Sequence, residues 1–292
     1  MPELPEVETI ARDLDRNLRN LTIKNFKVVN ERTRRARPFL NLAENKFRQK
    51  VLGQTVRGVS RRAKLLVFDL EENYLLAHLK MTGQLILKKS QGRILSGGHP
   101  ILGVGRELPN KFTRAIIEFT DGSHLYFNDI RRFGWLKLIK RNQLPKELSM
   151  LGQEPLEKGF TAAGLAQILE RKAKSTVKQA IMDQKQLVGV GNIYADEALF
   201  AAKIKPARRA GSLRPPQINA LYLAIRQVLK SSIKYRGTSF SDYRDGHGQP
   251  GGFVRHLKVY GRSGEACFSC KRPIKKSRLG GRGTHWCEYC QR

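Results

Sequence analysis

Four cysteines constrain the fold of this chain more than any other feature, because all of them fall between residues 267 and 292. They form two Cys-x2-Cys pairs separated by sixteen residues, Cys267 with Cys270 and Cys287 with Cys290. Each pair places two thiolates on one tight turn, and two such turns build the tetrahedral four-thiolate shell that structural zinc prefers. The sequence therefore predicts one structural Zn²⁺ rather than a disulfide framework. His285 is an alternative ligand.

The charge balance indicates the partner. The chain has 292 residues, 55 of them Lys or Arg against 25 Asp or Glu, which gives a formal net charge of +30. Such a balance favours binding to an acidic partner, and nucleic acid is the leading candidate. An anionic membrane is the alternative, but the chain has no long apolar run and no signal peptide. We therefore expect a soluble cytoplasmic protein associated with the nucleoid.

The apolar pattern changes along the first half of the chain. Positions 3–20 repeat apolar residues every three or four positions and predict an amphipathic helix. From 22 to 140 the pattern predicts short strands, with hairpins at 65–79 and 115–127, and therefore a sandwich or barrel-like β domain. Residues 89–110 are rich in Gly and predict a long loop.

The second half returns to the helical period. We expect short helices at 161–172, 176–182 and 193–202, and a longer one opened by Pro215 or Pro216 and ended by Gly237. Residues 238–253 predict a loop, and the segment from 254 predicts short strands around the cysteines. The expected fold class is α+β.

The amino terminus carries the most informative chemistry. Removal of Met1 would leave Pro2 with a free secondary amine, and α-amino groups have pKa values of roughly 7.7–8, far below that of lysine. Such an amine attacks carbonyl-type carbons, and Glu3 beside it could move protons. The alternative is that Pro2 is merely a permitted second residue and that Glu3, Glu6 and Glu8 stabilise the first turn of a helix.

Four further segments are candidates for nucleic-acid contact, each with a structural alternative. Asn192 follows a Gly-containing turn at a helix start, where it could bind phosphate or simply cap the helix. Arg131 and Phe133 could stack on bases, or Phe133 could anchor the core. Met81 could be a core residue, and the basic cluster that ends at Lys64 could be a phosphate clamp or a solvated face.

These motifs together resemble those of bacterial formamidopyrimidine-DNA glycosylases. The match spans nearly the whole chain. Six stretches occur in the same order as in that family: Pro2-Glu3-Leu4-Pro5-Glu6-Val7-Glu8, Arg61-Arg62-Ala63-Lys64, His78 to Gly83, Arg131-Arg132-Phe133-Gly134, Val188 to Ala195, and the four-cysteine unit.

The resemblance implies a fold and an activity. The fold is an N-terminal helix on a two-sheet β-sandwich, then a helix–two-turns–helix module and a zinc finger, with DNA in the cleft between domains. The implied domains are 1–140 (catalytic sandwich), 141–160 (linker), 161–253 (helix–two-turns–helix, with a lesion-capping loop at 238–254) and 254–292 (zinc finger). The implied enzyme is a monomer that excises 8-oxoguanine and formamidopyrimidines from damaged duplex DNA and then cleaves the strand.

The resemblance also implies residue roles. Pro2 would attack the sugar C1′ and Glu3 would act as acid and base. Lys64 and Arg282 are counted among the catalytic residues. Their implied role is to bind phosphates that flank the lesion, as Asn192 would also do. The remaining implied DNA-binding residues are Met81, Arg131 and Phe133, which would fill the gap left by the extruded nucleotide, and Lys174.

The chain departs from the family pattern at three places: Lys80 stands where Gly is frequent, residues 89–110 are long, and 111–114 lack a frequent His. Two rival functions stay open. One is an endonuclease VIII-type glycosylase for oxidised pyrimidines, which would share Pro2 and Glu3. The other is a zinc-ribbon nucleic-acid-binding protein without catalysis, which the N-terminal motif disfavours.

Overall fold

The computed structural model describes residues 2–29, 39–92, 94–98, 107–239 and 251–292. The chain divides into two compact units by its internal contacts. Unit 1 consists of Met1–Leu148 with Arg236–Gly251, and unit 2 of Ser149–Tyr235 with Gly252–Arg292. The four-domain division drawn from the sequence stays a prediction.

Unit 1 begins with helix α1 (Leu4–Leu18), as its apolar period predicts. Val7, Ile10, Leu14 and Leu18 are buried on one face of this helix. Pro5 suits the first turn because it needs no amide hydrogen there.

Two antiparallel sheets make up most of the rest of unit 1. The five-stranded sheet has the order β1-β7-β8-β5-β6 and the four-stranded sheet the order β2-β3-β4-β9. The strands are β1 (Ile23–Val28), β2 (Val56–Arg62), β3 (Leu65–Leu70), β4 (Asn73–His78), β5 (Gly83–Lys88), β6 (Ile94–Gly98), β7 (Thr113–Phe119), β8 (His124–Asp129) and β9 (Trp135–Lys140). The predicted hairpins are confirmed as β3–β4 and β7–β8.

A single core joins α1 to both sheets. Phe26, Phe68, Leu85 and Phe127 belong to this buried cluster together with the apolar face of α1. A helix that the strand pattern did not predict, α2 (Glu44–Val51), also contributes Phe47 to it. The predicted α+β class with a two-sheet sandwich is therefore confirmed.

The prediction that 89–110 is one long loop is wrong, because β6 lies within it. Strand β6 pairs with β5 and buries Leu95. Gly97 is one of the glycines of the segment predicted as a loop, but here it allows close packing on α1: a Cβ at Gly97 would lie 2.8 Å from Cγ1 of Ile10. A glycine within a strand can reflect the close approach of another segment, and the local sequence does not distinguish this from a glycine in a loop.

Most of the remaining helices lie in unit 2, and α3 (Leu144–Ser149) ends at its border with unit 1. They are α4 (Ala162–Arg171), α5 (Val177–Met182), α6 (Asn192–Ala201) and α7 (Pro215–Lys234). Thr161 caps α4 by accepting the N–H of Gly164 at 3.1 Å. Helix α7 ends at Lys234, three residues before Gly237.

A two-stranded hairpin lies between the cysteine pairs. It consists of β10 (Lys275–Leu279) and β11 (Arg282–Trp286), which pair antiparallel. Val259, Ile274 and two of the cysteines form a small core beneath it, with Phe200 of α6 packed against that core. The predicted strands of this segment are thus present.

Candidate active site and metal centre

The start of α1 carries the predicted nucleophile and its acid. Pro2 is buried and Glu3 is only 4% exposed. Glu6 accepts the N–H of Glu3 at 2.9 Å with one carboxylate oxygen and the N–H of Thr238 at 2.8 Å with the other. Both bonds fix the first turn of α1, and the second ties it to Thr238, the first residue of the predicted lesion-capping loop. Sequence analysis left the role of Glu6 open.

The predicted lesion-capping loop falls largely on residues 240–250, which lie outside the described residues. Its two ends are described: the N–H of Gly251 donates to Oγ of Ser239 at 2.7 Å. Arg236 forms an ion pair with Asp13 of α1. Ser239 and Gly251, on either side of residues 240–250, are therefore neighbours, and the segment just before Ser239 is anchored to α1.

Lys64 lies in the tight turn between β2 and β3. The turn contains Ala63 at φ 57°, and Lys64 is 7% exposed. Arg61, just before the turn, donates to Glu8 of α1 at 2.7 Å. This ion pair, whose arginine side chain is 9% exposed, holds the end of β2 against α1. No sequence pattern pointed to it, because the partners are 53 residues apart.

The three predicted gap-filling residues lie together. Nη1 of Arg131 is 3.1 Å from the sulfur of Met81, and its guanidinium lies 4.9 Å from the centre of the Phe133 ring. Met81 and Phe133 are 39% and 53% exposed, which excludes the alternative that they are core residues. Two turns, one after β4 and one after β8, thus present a methionine, a guanidinium and a ring as one surface cluster.

Asp129 holds these two turns in place. Its carboxylate accepts the N–H groups of Arg131 at 3.2 Å and Gly134 at 2.7 Å, and it also receives the hydroxyl of Thr82. Sequence analysis assigned no role to Asp129 or Thr82. The only available signal was their place within the two turn motifs.

Asn192 is the first residue of α6, and Gly191 occupies the cap, so the capping alternative is wrong. Nδ2 of Asn192 donates to the carbonyl of Gly283 at 2.9 Å. Gly283 follows Arg282, which is exposed at the start of β11. The structure thereby brings Asn192 and the tip of the hairpin together, although they are 91 residues apart.

Lys174 is exposed in the turn between α4 and α5. A different lysine, Lys178 of α5, is buried and forms an ion pair with Asp196 of α6 at 2.7 Å. Lys178 also donates to Gly283 O at 3.0 Å. The sequence does not single out Lys178, because nothing local distinguishes it among 55 basic residues.

The four cysteines form one compact cluster. Their sulfur atoms all lie within 4.8 Å of one another. Burial opposes ionisation of Cys267, but the N–H groups of Cys270 and Ser269 outweigh it and lower its pKa to about 7. Burial and the neighbouring thiols raise the pKa of Cys290 to about 12. Four convergent thiols, one of them readily ionised, fit a tetrahedral metal ion.

His285 is not part of this cluster. It is 8% exposed, and its backbone N–H donates to the carboxylate of Asp196 at 2.8 Å. Nδ1 of its ring lies 3.6 Å from the same carboxylate. Within the described parts of the chain, the cluster consists of the four cysteines without a histidine.

The described parts of the chain include no helix with the length and apolar character needed to cross a membrane.

Comparison with known proteins places these features in a class of DNA-repair glycosylase. Residues 1–136 match the family model of the formamidopyrimidine-DNA glycosylase N-terminal domain, and residues 151–244 match that of the formamidopyrimidine-DNA glycosylase H2TH domain. The chain belongs to the formamidopyrimidine-DNA glycosylase family.

Similar proteins cover the whole chain. The formamidopyrimidine-DNA glycosylase of Syntrophomonas wolfei is 40% identical over 292 residues, and that of Desulfitobacterium hafniense DCB-2 is 40% identical over 295, each covering 100% of both chains. Among solved structures, Lactococcus lactis Fpg in complex with abasic-site DNA matches with a TM-score of 0.85 at 32% identity over 99% of both chains. The L. lactis enzyme with DNA containing N7-benzyl-Fapy-dG matches with a TM-score of 0.84 at 32% identity over 100% of both.

Proposed function

We propose that this chain is a DNA glycosylase and abasic-site lyase that excises oxidised purines, 8-oxoguanine and formamidopyrimidines, from damaged duplex DNA. Membership of the family over the full length supports this activity. The structural observation that carries it is the first turn of α1, where Pro2 is followed by a buried Glu3. We further propose that the protein acts as a monomer at the nucleoid, where its substrate is found.

The proposed chemistry starts with removal of Met1. The secondary amine of Pro2 forms a bond to the sugar C1′ while the glycosidic C–N bond breaks, and the base leaves with that electron pair. Glu3 donates a proton to the ring oxygen, which opens the sugar and leaves a charged iminium at C1′. The iminium acidifies the C2′ proton, so elimination expels the 3′ phosphate. A second elimination expels the 5′ phosphate, and water then hydrolyses the iminium, which returns the Pro2 amine and releases the sugar as an unsaturated aldehyde.

Base extrusion is assigned to the exposed cluster of Met81, Arg131 and Phe133. A base inside a duplex cannot be reached, and unstacking it costs a few kcal/mol. Apolar side chains inserted at the vacated position offset that cost, while a guanidinium can hydrogen-bond the orphaned base. The contacts among these three residues support their action as one wedge.

Phosphate contacts are assigned to Lys64, Asn192, Lys174 and Arg282. Asn192 donates one amide hydrogen to Gly283, which leaves the second N–H of the same nitrogen for a phosphate oxygen. Arg282 and Lys174 are exposed and cationic, so both can contact a phosphate when DNA binds. The net charge of +30 fits a long footprint on the phosphate backbone.

We propose Zn²⁺ as the metal of the cysteine cluster. Cys267, Cys270, Cys287 and Cys290 would hold it, and it would supply folding energy to the finger rather than chemistry. The hairpin that carries Arg282 lies between the two pairs, so metal binding would fix the base of that hairpin.

Covalent trapping tests the proposed function. Borohydride added during incubation with a duplex that contains 8-oxoguanine opposite cytosine should give a covalent protein–DNA adduct. Pro2→Gly should abolish the adduct, whereas Lys174→Ala, a control that removes a different amine, should retain most of it. If the parent protein forms no adduct, the rival interpretation of a nucleic-acid-binding protein without catalysis would stand.

Two further measurements sharpen the test. Faster cutting of a duplex with thymine glycol than of a duplex with 8-oxoguanine would favour the rival assignment, in which the substrates are oxidised pyrimidines. Mass spectrometry of the active preparation should show an N-terminal proline. Full strand cleavage by a protein that retains Met1 would exclude Pro2 as the nucleophile.

A further inference from the structure

The two turns that carry the proposed wedge lie side by side at one end of the sandwich. The first turn, residues 79–82, leads from β4 in the four-stranded sheet to β5 in the five-stranded sheet. The second turn, residues 130–134, leads back from β8 to β9. The flanking strands pair with each other: β4 pairs with β9, and Gly83 of β5 lies opposite Asp129 of β8. The wedge therefore takes its methionine from the first turn and its guanidinium and ring from the second.

Side-chain hydrogen bonds join the two turns. The hydroxyl of Thr82 donates to Oδ1 of Asp129 and accepts the backbone N–H of Arg131 at 3.0 Å. The same N–H is shared with Oδ1 of Asp129 at 3.2 Å, and Oδ2 accepts the N–H of Gly134 at 2.7 Å. The hydroxyl of Thr82 thus connects the first turn both to the carboxylate that holds the second turn and to the backbone of the second turn.

Burial strengthens this set of hydrogen bonds. Thr82 is 8% exposed and Asp129 is 1% exposed. Hydrogen bonds to an ionised group are stronger than neutral ones, and a low dielectric strengthens them further. Loss of one partner would leave a buried polar group unsatisfied. The base of the wedge is therefore fixed, although Met81 and Phe133 at its tip are exposed.

Contacts within the tip are weaker than those at the base. Arg131 contacts both the sulfur of Met81 and the ring of Phe133, but it does so at the surface. Exposed contacts between a cation and a ring contribute little to stability because water competes for the cation. The spacing between methionine and ring is thus set by the buried bonds beneath them.

We infer that the hydroxyl of Thr82 is a positioning group for base extrusion, and this inference rests on the proposed function. Through Asp129 it fixes the two turns relative to each other, so that Met81 and Phe133 enter the duplex as one unit. Truncation of either side chain then disables the whole wedge, and truncation of the other adds little. Without the hydroxyl each turn acts by itself, and the two losses are independent.

A double-mutant cycle measures this coupling. Met81→Ala, Phe133→Ala and the double variant are compared for their affinity for a duplex with a tetrahydrofuran abasic-site analogue opposite cytosine. This analogue has neither a base to recognise nor a glycosidic bond to break, so the comparison is independent of catalysis. In the parent, the loss of affinity in the double variant should be at least about fivefold smaller than the product of the two single losses. In a Thr82→Val background the losses should multiply to within about twofold.

Matched variants separate this role from a general effect on the fold. Thr82→Ser keeps the hydroxyl and should keep the parental coupling, whereas Thr82→Ala lacks it and should behave as Thr82→Val does. Ser123→Ala is the control elsewhere in unit 1. The buried Ser123 donates its hydroxyl to Asp121 at 2.6 Å in the turn at the other end of β8, so its loss should leave the coupling unchanged. Urea unfolding identifies which variants are folded in the binding assay.

Parental coupling in both Thr82→Val and Thr82→Ala would overturn the inference, and so would independent losses in the parent. Borohydride trapping of the parent on 8-oxoguanine reports on the proposed function separately, because the adduct depends on the amine of Pro2. An adduct without coupling rejects the inference and keeps the proposed function. Coupling without an adduct keeps the positioning of the wedge and rejects the proposed catalysis.

Discussion

The ammonium of Lys178 lies 2.7 Å from the carboxylate of Asp196, and the two side chains are 1% and 0% exposed. Lys178 also donates to Thr284 Oγ1 at 2.8 Å, and Asp196 accepts the N–H of His285 at 2.8 Å. A buried ion pair is stabilising only while both members and their hydrogen bonds are present. The pair therefore joins α5 and α6 to strand β11, which begins at Arg282.

Asp196→Asn should destabilise unit 2 strongly. The substitution leaves the ammonium of Lys178 buried without a counter-charge, which costs about 3–5 kcal/mol. Urea unfolding would show it as a lower midpoint with an unchanged slope. Glu288→Gln is the control, since its pair with Lys275 is 58% and 52% exposed and its removal should barely change the midpoint. Equal small shifts in both variants would show that the buried pair does not anchor β11.

Phe133→Ala should slow base excision more than cleavage at a pre-formed abasic site. The ring would offset the cost of unstacking a base, and an abasic site has no base to unstack. We expect a loss of roughly tenfold or more in the single-turnover rate on 8-oxoguanine, equivalent to about 1.4 kcal/mol, with a smaller loss on the abasic substrate. Phe268→Ala removes a phenylalanine of the same 53% exposure from the finger and should spare both rates. Equal losses on the two substrates would count against a wedge.

His78 should make the fold sensitive to acid. Burial, with the charges of Lys80 and Lys64, lowers its pKa from 6.5 to about 3. Between these values the unfolded chain binds a proton that the folded chain does not, so the free energy of unfolding falls as the pH falls, by at most about 1.4 kcal/mol per pH unit. Above pH 6.5 the imidazole is neutral in both states and contributes nothing.

His78→Asn should make that acid loss shallower. The Asn side chain keeps an acceptor for the N–H of Lys80, which His78 now accepts at 2.9 Å, but it takes up no proton. Urea unfolding at several pH values between about 4 and 7 measures the difference. Parallel curves for the parent and the variant would assign the acid loss to other groups.

Cys267→Ser should release the metal and weaken DNA binding while the sandwich of unit 1 stays folded. Cys267 is fully buried in the small core of the finger, and removal of one of four thiolates opens the metal shell. Zinc content measures the release of the metal, a titration with duplex DNA measures the binding, and near-ultraviolet circular dichroism measures whether the sandwich stays folded. Stoichiometric zinc in this variant would contradict a four-thiolate site.

Much of this architecture could be predicted because it depends on near neighbours in the sequence. The apolar period of α1, the β3–β4 and β7–β8 hairpins and the Cys-x2-Cys pairs are each encoded within a few residues. The predictions failed where packing overrode local composition. Gly97 suggested a loop and instead lies in β6, where the absence of a side chain lets Ile10 approach.

The arrangement of the candidate sites depended on the tertiary structure. Sequence motifs pointed to Met81, Arg131 and Asn192 one by one. The contact between Arg131 and Met81 joins residues 50 positions apart, and that between Asn192 and Gly283 joins residues 91 positions apart. Lys178 and Asp196 carried no sequence signal. Their importance comes from burial, which removes water from both charges and makes each one depend on the other. The sequence by itself determined which reactive groups the chain carries, since the proline after Met1, the carboxylates beside it and the four thiols are properties of residue type and local spacing. Only the tertiary structure decided which side chains meet, because desolvation and long-range contact arise when distant segments pack.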